Sequence, residues 1–228
     1  MTGPVDYRKL IAEVIGTFTL IFAGAGAIVV TGGTNLVGIA FAHGLAIALM
    51  VSTFGHVSGG LFNPALSIGL WVTRRMDSVN AVAYIAAQLV GGLAGAAALV
   101  VLFPDVEREA TALGTPALNA GVTFAQGVGI EAVLTFFLML AVFGTALDAR
   151  GPKLGGLVIG LIITMDIFAG GPLTGAAMNP ARALGPAVLA GSWDDHLVYW
   201  IGPIIGAVLA ALVYHYVFMN GEERAPAG

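Results

Sequence analysis

The sequence predicts an all-α membrane protein with six transmembrane helices and two half-length re-entrant helices. Three observations carry that prediction. Of the 228 residues 58% are hydrophobic and 10% charged, whereas soluble domains average about 25% charged residues. The apolar residues fall into six runs long enough to cross a bilayer, separated by short polar breaks. Asn-Pro-Ala occurs twice, at 63–65 and 179–181, each time after a glycine-rich stretch and before a short apolar run. The absence of cysteine excludes a disulfide, a thiolate metal site and a thiol nucleophile. No basic cluster suited to nucleic acid is present, and no cofactor or metal is expected.

The first span runs from about Leu10 to Val30. Its length exceeds the apolar core of a cleaved signal, so it is read as a helix that stays. The second runs from about Val37 to Phe54, the third from Ala81 to Leu102. A polar loop covers Pro104 to Gly121. The fourth span runs from Val122 to Leu147, the fifth from Leu154 to Ala169 and the sixth from Leu197 to Phe218, with a polar tail at 220–228. Asn is a strong N-cap and Pro suits the first helical position. Short helices therefore start at Pro64 and Pro180 and stop at Arg74-Arg75 and before Gly191. At 1.5 Å per residue each reaches roughly 15 Å, half a bilayer core.

The chain is one domain made of a duplication, about 8–103 and 122–218. Glu13 precedes Asn63 by 50 residues and Glu131 precedes Asn179 by 48. Each half holds three spans with a half-helix after the second. Three is odd, so the halves are inverted relative to each other, a pattern that puts a site at the bilayer midplane. Arg8, Lys9, Arg74, Arg75, Arg150, Lys153 and Arg224 fall on the side of the termini and only Arg108 lies in an opposite loop. Both termini are therefore expected in the cytoplasm, and the membrane to be the plasma (inner) membrane. Gly91/Gly95, Gly156/Gly160 and Gly202/Gly206 suit close helix approach.

Half-helices meeting end to end turn two positive N-termini towards each other and bring Asn63 and Asn179 to whatever passes between them. Ionisable residues within spans face the bundle interior. Glu13 and Glu131 are read as acceptors for N–H groups of the re-entrant loops, in preference to an acid–base pair. Arg182 stands where the first motif has Leu66, and offers donors and a charge barrier to a pore; a salt bridge with Asp166 or a loop carboxylate is the alternative. His43 sits at a similar depth. Asp166 either anchors Gly170-Gly171-Pro172 or pairs with Arg182. It and His56 remain candidates without an assigned role.

With the double Asn-Pro-Ala and Arg182, Ser58-Gly59-Gly60, Glu13, Glu131, Gln88 and Tyr199-Trp200, the chain resembles the aquaporin, or major intrinsic protein, family from about Ile11 to Val217. The resemblance implies the right-handed aquaporin-type bundle and a homotetramer with a pore in each protomer. It implies a central constriction of Asn63, Pro64, Ala65, Asn179, Pro180 and Ala181. Acceptor ladders would come from the carbonyls of Gly59, Gly60, Leu61 and Phe62 and of Gly175, Ala176, Ala177 and Met178. An outer selectivity filter would comprise His43, Ile167, Ala176 and Arg182, and the re-entrant loops would be supported by Glu13, Glu131 and Gln88. The filter is similar to that of plant tonoplast intrinsic proteins, which usually have Asn where Asp166 stands. Strict water channels of the family usually have Phe in place of His43 and His in place of Ile167, so this filter is wider and leaves room for ammonia, urea or hydrogen peroxide beside water. Leu61 replaces a usual His. Ala183 and Ala187 occupy the places where glycerol channels carry Asp and a basic residue. The expected function is a passive water channel that excludes protons and ions, not an enzyme, with water and small neutral solutes as its partners. A broken-helix secondary transporter is the alternative.

Overall fold

The computed structural model describes residues 1–152 and 154–219. In chain order the helices are α1 (Tyr7–Thr31), α2 (Leu36–Ser58), α3 (Pro64–Val72), α4 (Ser78–Leu102), α5 (Asp105–Ala110), α6 (Phe124–Leu147), α7 (Leu157–Thr174), α8 (Pro180–Ala190) and α9 (Val198–Phe218). Six of them are long and apolar enough to cross a bilayer. The half-helices α3 and α8 are not, and no strand occurs among the described residues. The polar tail, Lys153 and Arg224 lie outside the described residues.

Capping explains why several helices start or stop away from the edges of their apolar runs. Asp77 accepts the Asn80 N–H, so α4 starts three residues before its apolar run. Thr123 and Gln126 form a reciprocal capping box that starts α6. The helix α7 continues five residues past Ala169, through Gly170-Gly171-Pro172, which the sequence reads as loop. Asn119, from the preceding loop, meets this last turn by donating to the Pro172 and Leu173 carbonyls, and Gly175 at φ +82° ends it. The loop after α4 is not fully irregular: it holds α5 and a tight turn at Ala112–Gly114. Three spans contain π-helical turns that composition does not announce, at Ile21–Ala25, Phe143–Leu147 and Tyr214–Phe218.

In each half the first span packs on the second and third: α1 on α2 and α4, α6 on α7 and α9. The halves join through α2 against α7. They also exchange half-helices, α3 docking on α9 and α8 on α4. The glycine pairs lie on these faces: a Cβ at Gly95 would sit 2.8 Å from the Phe18 carbonyl of α1, and one at Gly202 2.8 Å from the Val128 carbonyl of α6. The Met1 amino group donates to the Arg75 carbonyl at 2.8 Å, and Arg150 to the Phe218 carbonyl at 2.7 Å. The α3–α4 and α6–α7 loops thus share a face with both ends of the described chain.

Candidate functional site

The two segments entering α3 and α8 have the same backbone. Gly59 and Gly175 are left-handed at φ +88° and +82°, Gly60 and Ala176 at +65° and +44°, Phe62 and Met178 at +50° and +53°. Left-handed non-glycine residues cost of order 1–3 kcal/mol each and persist only where their surroundings fix them. Buried carboxylates do so here. Glu13 Oε1 accepts from Ser58 Oγ (2.7 Å) and the Leu61 N–H (3.1 Å); its Oε2 accepts from the Phe62 N–H and Gln88 Nε2, both at 2.7 Å. Glu131 accepts in the same way from Thr174 Oγ1 (2.7 Å), the Ala177 N–H (2.9 Å) and the Met178 N–H (2.7 Å). Charge-assisted bonds of this kind are about twice as strong as neutral ones. Tyr84 and Tyr199 complete each support, donating to the Ser58 and Thr174 carbonyls at 2.9 and 2.8 Å.

Asn63 and Asn179 cap α3 and α8: each Oδ1 accepts the N–H two residues on, at 2.9 and 3.0 Å. Their amide nitrogens reach across the molecular centre. Asn63 Nδ2 donates to the Met178 carbonyl at 2.8 Å and Asn179 Nδ2 to the Phe62 carbonyl at 2.9 Å. An amide carries two N–H donors, so one remains on each after this exchange. The Phe62 and Met178 carbonyls of the expected ladders are thereby engaged by one donor each, and each keeps a second lone pair. The carbonyls of Gly59, Gly60, Leu61, Gly175, Ala176 and Ala177 receive no bond from any protein donor among the described residues.

A cavity of about 30 Å³ runs through this centre; at ~10–15 Å³ per water centre it holds two or three waters. Asn63, Asn179, His43, Ile167, Ala176 and Arg182 all line it, with an apolar remainder that includes Ile47, Leu138, Val142, Ile159 and Ile163. Ile167 and Arg182 also border a vestibule of about 450 Å³ beside Pro116 and Asn119. Leu61 and Val142 border another, about 290 Å³, at the face where Met1 lies. The slot thus shares wall residues with two wider spaces, one on either side. The exposed His56 borders the second of them.

Arg182 is 2% exposed. Its Nη1 donates to the Gly114 carbonyl at 2.9 Å, while Nε and Nη2 have no protein partner. His43 Nδ1 lies 2.9 Å from the Ile39 carbonyl; a carbonyl only accepts, so Nδ1 carries the proton and Nε2 is left an acceptor. Asp166 is fully buried and neither oxygen has a partner. It neither pairs with Arg182 nor anchors Gly170-Gly171-Pro172, which is helix. Among the described residues no three His, Asp or Glu side chains cluster as a metal site. Sequence reasoning overlooked Tyr84, which stands four residues and one helical turn before Gln88, and Gly114, whose contact with Arg182 spans 68 positions.

The comparisons with known proteins agree with this fold. The family model described as "Major intrinsic protein" matches residues 2–214. The chain is 45% identical to "Aquaporin TIP4-4" of Zea mays over 96% of its own length and 90% of that protein's. It is 41% identical to "Lens fiber major intrinsic protein" of Lithobates pipiens over 92% and 81%. Among solved structures it matches the aquaglyceroporin of Plasmodium falciparum with TM-score 0.82 at 26% identity, covering 92% of this chain and 96% of that one. These relatives, TIP aquaporins foremost, give no support to a plasma-membrane location. The chain belongs to the major intrinsic protein family, the aquaporins, and is an integral multi-pass membrane protein of that channel family.

Proposed function

We propose that this chain is a passive water channel in which single-file water passes the outer filter of His43, Ile167, Ala176 and Arg182 and the central pair Asn63 and Asn179. One observation carries the reading: the slot of about 30 Å³ is lined by all six of these residues and shares lining residues with a wider space on either side. Along it, the unengaged carbonyls accept from water and the free Asn N–H groups donate to it. Arg182 and the two half-helix N-termini repel protons and cations at close quarters. The apolar remainder keeps water from binding too tightly to leave. Glu13, Gln88 and Glu131 act by holding the loops, and no covalent step or cofactor enters.

His43 offers an acceptor opposite the Arg182 donors and Ile167 an apolar wall. That combination suits ammonia, urea or hydrogen peroxide beside water; with Ala183 and Ala187 in α8, glycerol is a poor substrate. The channel works as a homotetramer with one pore per protomer and both termini in the cytoplasm, on the side of Arg8, Lys9, Arg74, Arg75 and Arg150.

Stopped-flow light scattering on proteoliposomes tests the reading with water, urea, ammonia and glycerol in one preparation. Non-saturating flux without ion coupling supports a channel, whereas saturating, ion-coupled uptake would establish the transporter alternative. Ala176 holds a left-handed backbone where a β-branched residue is costly, so the filter is better narrowed by Ile167→His alone. That variant is expected to suppress urea and ammonia more than water; equal loss of all three would remove Ile167 from the filter.

A further inference from the structure

We propose that Gly24 sets the width of the outer filter by giving the His43 ring a seat on α1; the inference rests on the channel reading above and on His43 belonging to that filter. Gly24 is buried in the π-helical turn Ile21–Ala25 and does not itself line the slot. Such turns often occur at functional sites. A Cβ built at Gly24 would lie 2.6 Å from Nε2 and 2.7 Å from Cγ of His43, and against Cδ2 as well. Non-bonded carbons settle near 3.5–4.0 Å, so the ring occupies the space that any other residue's Cβ would need. On its other edge the ring is tied to the Ile39 carbonyl. With α1 behind it and this bond beside it, the direction left open to the ring is the slot.

The second half of the chain shows the alternative filling. Glu13 and Glu131, which hold equivalent loops, are 118 residues apart; Ser58 and Thr174, which donate to them, are 116 apart. These offsets pair Gly24 with Val142 and His43 with Ile159. Val142 and Ile159 both line the slot. There a branched first-helix residue reaches the path and its second-helix neighbour is of middling size. In the first half the second-helix residue is a ring, and its first-helix neighbour has shrunk to a hydrogen. Close-packed interiors trade volume in this way, and glycine is what keeps the imidazole at the wall of the path.

The test measures water and urea permeability of proteoliposomes carrying wild type, Gly24→Ala, His43→Ala and the double variant. The Gly24→Ala methyl is expected to push the ring into the slot and lower urea permeability about tenfold more than water, the factor given by ~1.4 kcal/mol of added barrier. In a wild type that excludes urea, water itself falls by that factor. On the His43→Ala background Gly24→Ala has no further effect, a non-additivity that a purely structural glycine would not show. A folded Gly24→Ala channel with unchanged permeabilities overturns the inference, as does an effect that persists without the ring. Should Gly24→Ala fail to fold, recovery of a monodisperse protein in the double variant supports the seat, and its absence overturns it. A wild type no more permeable than empty vesicles would instead overturn the channel reading and this inference together.

Discussion

Glu13 and Asp166 are both completely buried acids, and their surroundings give them opposite consequences. Glu13 accepts four hydrogen bonds. In Glu13→Gln an amide N–H₂ faces donors, so the variant is expected to lose about 2–3 kcal/mol, read as a lower Tm in detergent; unimpaired stability with abolished flux would point to acid–base chemistry instead. Asp166 accepts none. The 116-residue offset pairs it with Met50, so the architecture accommodates an apolar side chain at that place. Asp166→Asn and Asp166→Leu are therefore expected to raise Tm by about 2–4 °C for each kcal/mol relieved, and a fall in Tm would reveal a partner for the acid. At this scale the sequence was legible where residues recur in motifs: Asn63, Asn179, Glu13 and Glu131 stand where the duplication puts them, whereas Gln88 has no counterpart and was read from the resemblance alone. It was silent on Gly24 and Gly114, whose work depends on what a remote segment brings against them.

Spans and half-helices were read from apolar runs and from Asn-Pro, because a bilayer demands length and a helix start demands a cap. Their ends were read less well. Asp77 starts α4 early, and α7 runs on through Gly-Gly-Pro, since a neighbouring Asn119 supplies contacts that local propensity cannot foresee. The π-helical turns have no pattern of their own and arise from packing. The seat of α8 on α4 is a close approach: a Cβ at Gly92 would lie 2.6 Å from the Ala181 carbonyl. Gly92→Val is expected to unseat α8, abolishing water permeability and lowering Tm. Gly129 of α6 has open space around it. Gly129→Ala is thus the matched control, with permeability retained and stability raised by up to about 1 kcal/mol from helix propensity. Equal damage from both would deny the seat any special role.

For the whole molecule, the face holding both ends of the described residues is tied together by Asp148. Its carboxylate accepts from Arg150 N, Nε and Nη2 at 2.9, 3.0 and 2.7 Å and from the Tyr214 hydroxyl of α9 at 3.2 Å. The Arg150 side chain, foremost among these donors, holds the Asp148 carboxyl well below the usual carboxylate range. A depressed folded pKa stabilises above the unfolded value, near 3.9, and the contribution disappears as pH falls through the folded one. Asp148→Asn is expected to lower Tm at pH 7, with the gap to wild type closing below about pH 4; a gap constant with pH would contradict the linkage. The lack of cysteine also predicts that mercurials leave water flux unchanged, and reductant-reversed block would refute it. The exchange of half-helices has a consequence for biosynthesis. Asn63 donates to a carbonyl 115 residues further along the chain, and α3 docks on α9, which is translated more than 120 residues after it. At 5–20 residues per second, roughly 6–23 s of translation separate the two partners of that bond. A nascent first half can therefore hold its re-entrant loop on Glu13 and Gln88, but α3 lacks its seat and Asn63 its partner until the second half arrives.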